Sequence, residues 1–125
     1  MVPNILIAED DTVLRDLYVR KFSKTGFTVR TVRNGQEALE EIKVQAPDLL
    51  MLDINMPVLD GFGTLEKLPK EQRAFPVIIL TNFDDQANRD RSAALGIDDY
   101  FVKKDMTIKS LLEMVEKLLA KKVQG

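Results

Sequence analysis

The feature of this sequence that most constrains its fold is an alternation between two periods. Five short apolar runs recur at residues 4–8 (NILIA), 27–32 (FTVRTV), 49–53 (LLMLD), 76–81 (PVIILT) and 99–103 (DYFVK). The segments between them carry apolar residues at helical spacing. Leu14, Leu17, Tyr18 and Phe22 share one face, and Ala38, Leu39 and Ile42 share another after Asn34-Gly35. Phe62 and Leu65 to Leu68 mark a third helix, and residues 84–95 a fourth, weakened by the polar block Asn88, Arg89, Asp90, Arg91 and Ser92. Ile108, Leu111, Leu112, Val115, Leu118 and Leu119 form the clearest stripe, with Thr107 or Asp105 as its cap.

Strand and helix in turn, five times over, predict right-handed crossovers and a doubly wound α/β domain, its five-stranded parallel sheet covered by helices on both faces. Runs one, three and four are almost wholly apolar, as strands buried on both faces must be. The second run, interrupted by Thr28, Arg30 and Thr31, reads as an edge. These properties suit the flavodoxin-like order 2-1-3-4-5, in which ligands bind beyond the carboxyl ends of the strands where the order reverses. Gly26 and Gly96 sit where helices must stop. With 125 residues and no linker or repeat, the expectation is one domain over residues 1–125.

Composition then removes several functions. There is no cysteine and no histidine, so disulfides, thiol nucleophiles, Cys- or His-based metal sites and the commonest general base are all excluded. Chemistry is left to carboxylates, hydroxyls, lysines and a hard, oxygen-seeking cation. A net charge of −2 argues against direct nucleic-acid binding. The basic residues near the C-terminus, Lys117, Lys121 and Lys122, suit the end of a helix. No apolar stretch approaches membrane-spanning length, so a cytoplasmic protein is the expectation.

The strand ends collect what remains. Glu9 and Asp10 follow the first run, Asp53 ends the third, Thr81 the fourth and Lys103 the fifth. The fold puts all of these at one end of the sheet, with strands one and three adjacent. Three carboxylates in one cleft demand either a raised pKa or a cation between them. An all-oxygen set with room for water allows Mg²⁺, Mn²⁺ or Ca²⁺ and favours Mg²⁺. Each residue also has a plainer reading. Asp11 reads as the cap of the first helix, Asp10 alone as a cap or loop acid, Thr81 as a strand-end hydroxyl, and Lys103 as a solvated lysine beside Lys104.

Order and spacing together resemble the response-regulator receiver domain of two-component signalling, over essentially the whole chain. The markers are Glu9-Asp10, LLMLDINMPVLDG (residues 49–61), the Thr81 strand end, and GIDDYFVKK (residues 96–104) with Tyr100 and Lys103. The resemblance implies that Asp53 takes a phosphoryl group from a phosphohistidine of a sensor histidine kinase or phosphotransfer protein. It implies Mg²⁺ held by Asp10 and Asp53, by Glu9 through water and by the Asn55 carbonyl. Lys103 and Thr81 would contact phosphoryl oxygens. Thr81 and Tyr100 would switch the face of helix four, strand five and helix five, passing the signal to a downstream protein. Phosphorylation-dependent dimerisation stays open. Turnover is confined to self-catalysed phosphoryl acceptance and autodephosphorylation, so the chain is not an enzyme acting on outside substrates. The few residues after the last helix, ending at Gly125, lead to the expectation that no output domain is fused.

Two positions depart from the family. Lys104 stands where receivers usually have a cis proline; without proline a cis bond costs about 3–4 kcal/mol, which predicts a trans Lys103–Lys104 bond. Asn82 replaces a very small residue and is expected to narrow access to Asp53. Among rivals, a haloacid-dehalogenase-type phosphatase needs a second aspartate where Asn55 stands. A flavodoxin-like cofactor binder needs a phosphate loop where Glu9-Asp10-Asp11 would repel phosphate. A receiver-shaped interaction module that takes no phosphate is the remaining alternative, supported by Lys104 and Asn82.

Overall fold

A computed structural model of the chain describes residues 2–82, 84–105 and 107–124, with side chains up to residue 121. The Lys122 side chain and Gly125 therefore lie outside the described residues. Five strands, β1 (Asn4–Ala8), β2 (Thr28–Val32), β3 (Leu49–Asp53), β4 (Val77–Thr81) and β5 (Asp99–Val102), alternate with five helices. These are α1 (Thr12–Lys24), α2 (Gly35–Val44), α3 (Gly61–Glu66), α4 (Gln86–Ala94) and α5 (Ile108–Gln124), with one 3₁₀ turn at Lys70–Gln72. All strand pairs are parallel and their order is 2-1-3-4-5.

Period-two alternation sorts the strand side chains into two cores. Leu6, Leu50, Leu52, Val77 and Ile79 face α2 and α3, packing with Ala38, Phe62 and Leu65. Ile5, Ile7, Leu49, Met51, Ile78, Leu80 and Phe101 face α1 and α5, packing with Tyr18, Phe22, Leu111 and Val115. Each fully buried Leu or Ile contributes about 1.5–3 kcal/mol of transfer free energy. Every residue of β3 and β4 is buried, whereas β2, at the edge, has only Val32 buried.

The helix ends follow their local chemistry. The Asp11 carboxylate accepts from the backbone N–H of Val13 and Leu14 at 2.9 and 3.1 Å, so it is the cap of α1. Asn34 caps α2 through Glu37 N–H at 2.9 Å, and Thr107 Oγ1 accepts from Ser110 N–H at 3.1 Å. Gly26 and Gly96 adopt φ of 97° and 76°, the left-handed stops that their positions require. The fourth helix is shorter than residues 84–95 because Asp85 leaves the helix to cap it through Asn88 N–H. Its sole buried residue is Ser92, so its polar sequence is matched by an exposed position. The third helix closes at Glu66, leaving Leu68 beyond it but still packed on the core. No cis peptide bond occurs among the described residues, so the Lys103–Lys104 bond is trans.

Candidate functional site

Register brings the acids together. Ala8 of β1 is level with Leu52 of β3, so Glu9 and Asp53 leave adjacent strands side by side. Thr81 is level with Val102, which puts Lys103 one step beyond β5, its N–H bonded to the Thr81 carbonyl at 2.8 Å. The strand Asp99–Val102 is thus one residue shorter than the apolar run implied, and Lys103 begins the turn that follows.

Carboxylate oxygens of Glu9, Asp10 and Asp53 all lie within 4.8 Å of one another. Glu9 is fully buried, Asp53 is 4% exposed and Asp10 is open to solvent. Lys103 reaches in with Nζ 2.6 Å from Glu9 Oε1 and 3.2 Å from Asp53 Oδ2. Glu9 Oε2 accepts from Asp11 N–H at 3.2 Å, and the Glu9 carbonyl accepts from Arg15 Nη1 at 3.0 Å. The group opens into a cavity of about 380 Å³ that Asn55 and Asn82 also line.

The electrostatics follow from burial. Desolvation pushes the Asp53 carboxyl up to about 7, and the neighbouring Glu9 carboxyl adds to this while Lys103 opposes it. Burial pulls the Lys103 ammonium down, but its bonds and proximity to Glu9 and Asp53 outweigh that and raise it overall. Three carboxylates against one ammonium leave two negative charges when all are ionised. Glu9 Oε1 meets the ammonium at 2.6 Å and has no other hydrogen-bond partner among the described residues. A buried carboxylate oxygen with unspent acceptor capacity, in an all-oxygen cluster with two uncompensated charges, fits a hard divalent cation. Glu9, Asp10 and Asp53 are the side chains that would hold it, with Asn55 on the same cavity.

Thr81 and Tyr100 are both buried, and their side chains share a hydrogen bond. From the end of β4 it is Asn82, rather than Thr81, that lines the cavity. Asp53, Glu9, Asp10, Asn55 and Lys103 thus surround one cavity, whereas Thr81, expected on its rim, is buried against Tyr100 beside it. Arg89 lies outside the expected set: its guanidinium lies 4.5 Å over the Tyr100 ring and pairs with Asp84. Nothing in the sequence marked it, because a polar helix face reads as solvated.

A family profile described as the response regulator receiver domain matches residues 5–116. The chain belongs to that family. The receiver domain is 37% identical over 118 residues to a probable transcriptional regulator, ycf27, of Cyanophora paradoxa, covering 90% of this chain and 49% of that protein. Its fold matches a CheY-like receiver domain from Methanospirillum hungatei with a TM-score of 0.92 at 27% identity, over 99% of this chain and 98% of that one. It also matches the BeF3-activated N-terminal receiver domain of Klebsiella pneumoniae RstA, with a TM-score of 0.86 at 30% identity, over 93% and 97%. The receiver spans about half the length of the curated relatives it matches. Among its described residues, no helix is long and apolar enough to cross a membrane.

Proposed function

We propose that this receiver domain, a single unit over residues 1–125, is a cytoplasmic phospho-acceptor whose nucleophile is Asp53. A carboxylate oxygen of Asp53 attacks the phosphorus of a phosphohistidine on a sensor kinase or phosphotransfer protein. The P–N bond breaks, its electron pair stays on the imidazole, and an acyl phosphate forms on Asp53. Water later cleaves the acyl phosphate to regenerate the carboxylate and release inorganic phosphate. The observation that carries this reading is the juxtaposition of Asp53 with the Lys103 ammonium, 3.2 Å away, and with two further acids on one cavity.

Phosphoryl transfer needs positioning and charge neutralisation more than covalent help. Lys103, held between Glu9 and Asp53, supports one phosphoryl oxygen. Mg²⁺, held by Glu9, Asp10, Asp53 and Asn55, would supply the remaining charge neutralisation. Asn82, exposed on the cavity, borders the path to Asp53. The added charge then biases Thr81 and Tyr100, changing the face of α4, β5 and α5 that a downstream protein reads.

The test is incubation with acetyl phosphate, with and without Mg²⁺, read by intact-mass spectrometry, with Asp53→Asn as the control. One Mg²⁺-dependent phosphoryl addition, absent from the control, is expected. No addition, together with no binding of Mg²⁺ and beryllofluoride, would sink the phospho-acceptor reading and leave a receiver-shaped interaction module.

A further inference from the structure

Around Tyr100 the contacts close into a ring. The Tyr100 hydroxyl bonds the Thr81 side chain, and the chain runs from Thr81 past Asn82, on the phospho-acceptor cavity, to Asp84. The Asp84 carboxylate pairs with the Arg89 guanidinium, which lies 4.5 Å over the face of the Tyr100 ring. The neighbouring acids are otherwise engaged. Asp85 accepts from Asn88 N–H at 2.8 Å and from its side-chain amide at 3.0 Å, and Asp99 Oδ1 accepts from Tyr100 N–H at 2.8 Å. Among the described residues Arg89 thus pairs with the Asp84 carboxylate and stacks on the Tyr100 face, with Asp99 adding to the negative field around it, and it joins the loop after β4 to the aromatic on β5. A planar guanidinium suits this double use, since it stacks through its face while its edge donates to the acid.

We propose that Arg89 is a positioning residue that latches Tyr100 in its buried orientation, and that Asp84 ties this latch to the loop bordering the Asp53 cavity. Any change at Asp53 that displaces Asn82 and Asp84 pulls on the Asp84–Arg89 pair, and through it on the ring. Conversely, the latch biases the unmodified chain towards the buried Tyr100. This inference rests on the proposed phospho-acceptor role only for its link to signalling; the latch itself is a property of the unmodified chain.

The chain has two tyrosines, so 3-fluorotyrosine labelling yields two ¹⁹F resonances, assigned with Tyr18→Phe. Spectra of the wild type, Arg89→Ala, Arg89→Lys and Asp84→Asn would be recorded with and without Mg²⁺ and beryllofluoride. In the unmodified protein, Arg89→Ala is expected to move or broaden the Tyr100 resonance, lowering the buried-to-exposed ratio by about 2- to 5-fold, the strength of an exposed cation–π contact. Arg89→Lys should restore part of the shift, Asp84→Asn should give an intermediate one, and Tyr18 should not move. A Tyr100 resonance indifferent to Arg89→Ala would overturn the latch. If beryllofluoride moves no resonance in any protein while Arg89→Ala still moves Tyr100, the latch stands and the phospho-acceptor reading falls.

Discussion

Replacing Asp53 by Asn should stabilise the fold when no divalent metal is present. Its carboxyl titrates at about 7 in the fold against 3.8 for an unperturbed Asp, through burial first and the Glu9 carboxyl second. At roughly 1.4 kcal/mol per pH unit, ionising it inside costs about 4 kcal/mol relative to the unfolded chain. Lys103 serves both acids, so losing one lets it turn wholly to Glu9, and the net gain from Asn is set at about 2–4 kcal/mol. The sign follows from proton counting. Between the unfolded and folded pKa the native state binds more protons, so the metal-free wild type loses stability as pH rises from about 4 through about 7. Urea unfolding in EDTA should therefore find Asp53→Asn more stable by about 2–4 kcal/mol at pH 8, with about 3 kcal/mol of that advantage lost by pH 4.5. Mg²⁺ at a hundredfold excess over its dissociation constant should return about 2.7 kcal/mol to the wild type and nothing comparable to the variant. A variant less stable than the wild type at pH 8 in EDTA, or a gain equal at both pH values, would refute this account of the cluster.

Three further substitutions test the frame around it. Val58, a β-branched residue at φ 69° and 81% exposed, is strained without compensating burial, so Val58→Asn should raise stability by about 1 kcal/mol in urea unfolding. A Cβ on Gly61 would come within 2.5 Å of the Asp53 carbonyl and 3.0 Å of Ile54 Cα, so Gly61→Ala should cost about 2–3 kcal/mol and slow acetyl phosphate labelling. The Ser92 hydroxyl is buried without a hydrogen-bond partner among the described residues, so Ser92→Ala should stabilise by about 1 kcal/mol, read as a higher midpoint at unchanged slope.

The alternation of periods two and 3.6 was enough to determine the layered fold, the edge character of β2 and which residues end the strands, while the strand order was only one that these properties suit. Each of these is set by nearest neighbours along the chain: a buried strand must be apolar on both faces, and a stop needs Gly26 or Gly96 in a left-handed conformation. Asp11 is legible as a cap for the same local reason, whereas the capping role of Asn34 emerges only in the structure. Once the topology was known, the acids and Lys103 had to share one end of the sheet.

What only the tertiary structure decided is how those groups divide their charge. Glu9 is the fully buried acid and takes the ammonium at 2.6 Å, while Asp10, its neighbour in sequence, faces solvent. Successive residues leaving a strand diverge, and which of the two turns inward depends on packing from β2 and α1, invisible in the letters. Thr81 turned to Tyr100 and left Asn82 on the cavity for the same reason. The Arg89 latch is the furthest from sequence reasoning. Its charge pairs with Asp84 across a loop and its plane meets an aromatic from another strand, and a polar helix face carries no signal of either partner. Periodicity is a local property and survives in one dimension; charge pairing is a matter of distance, and distance exists only in the folded chain.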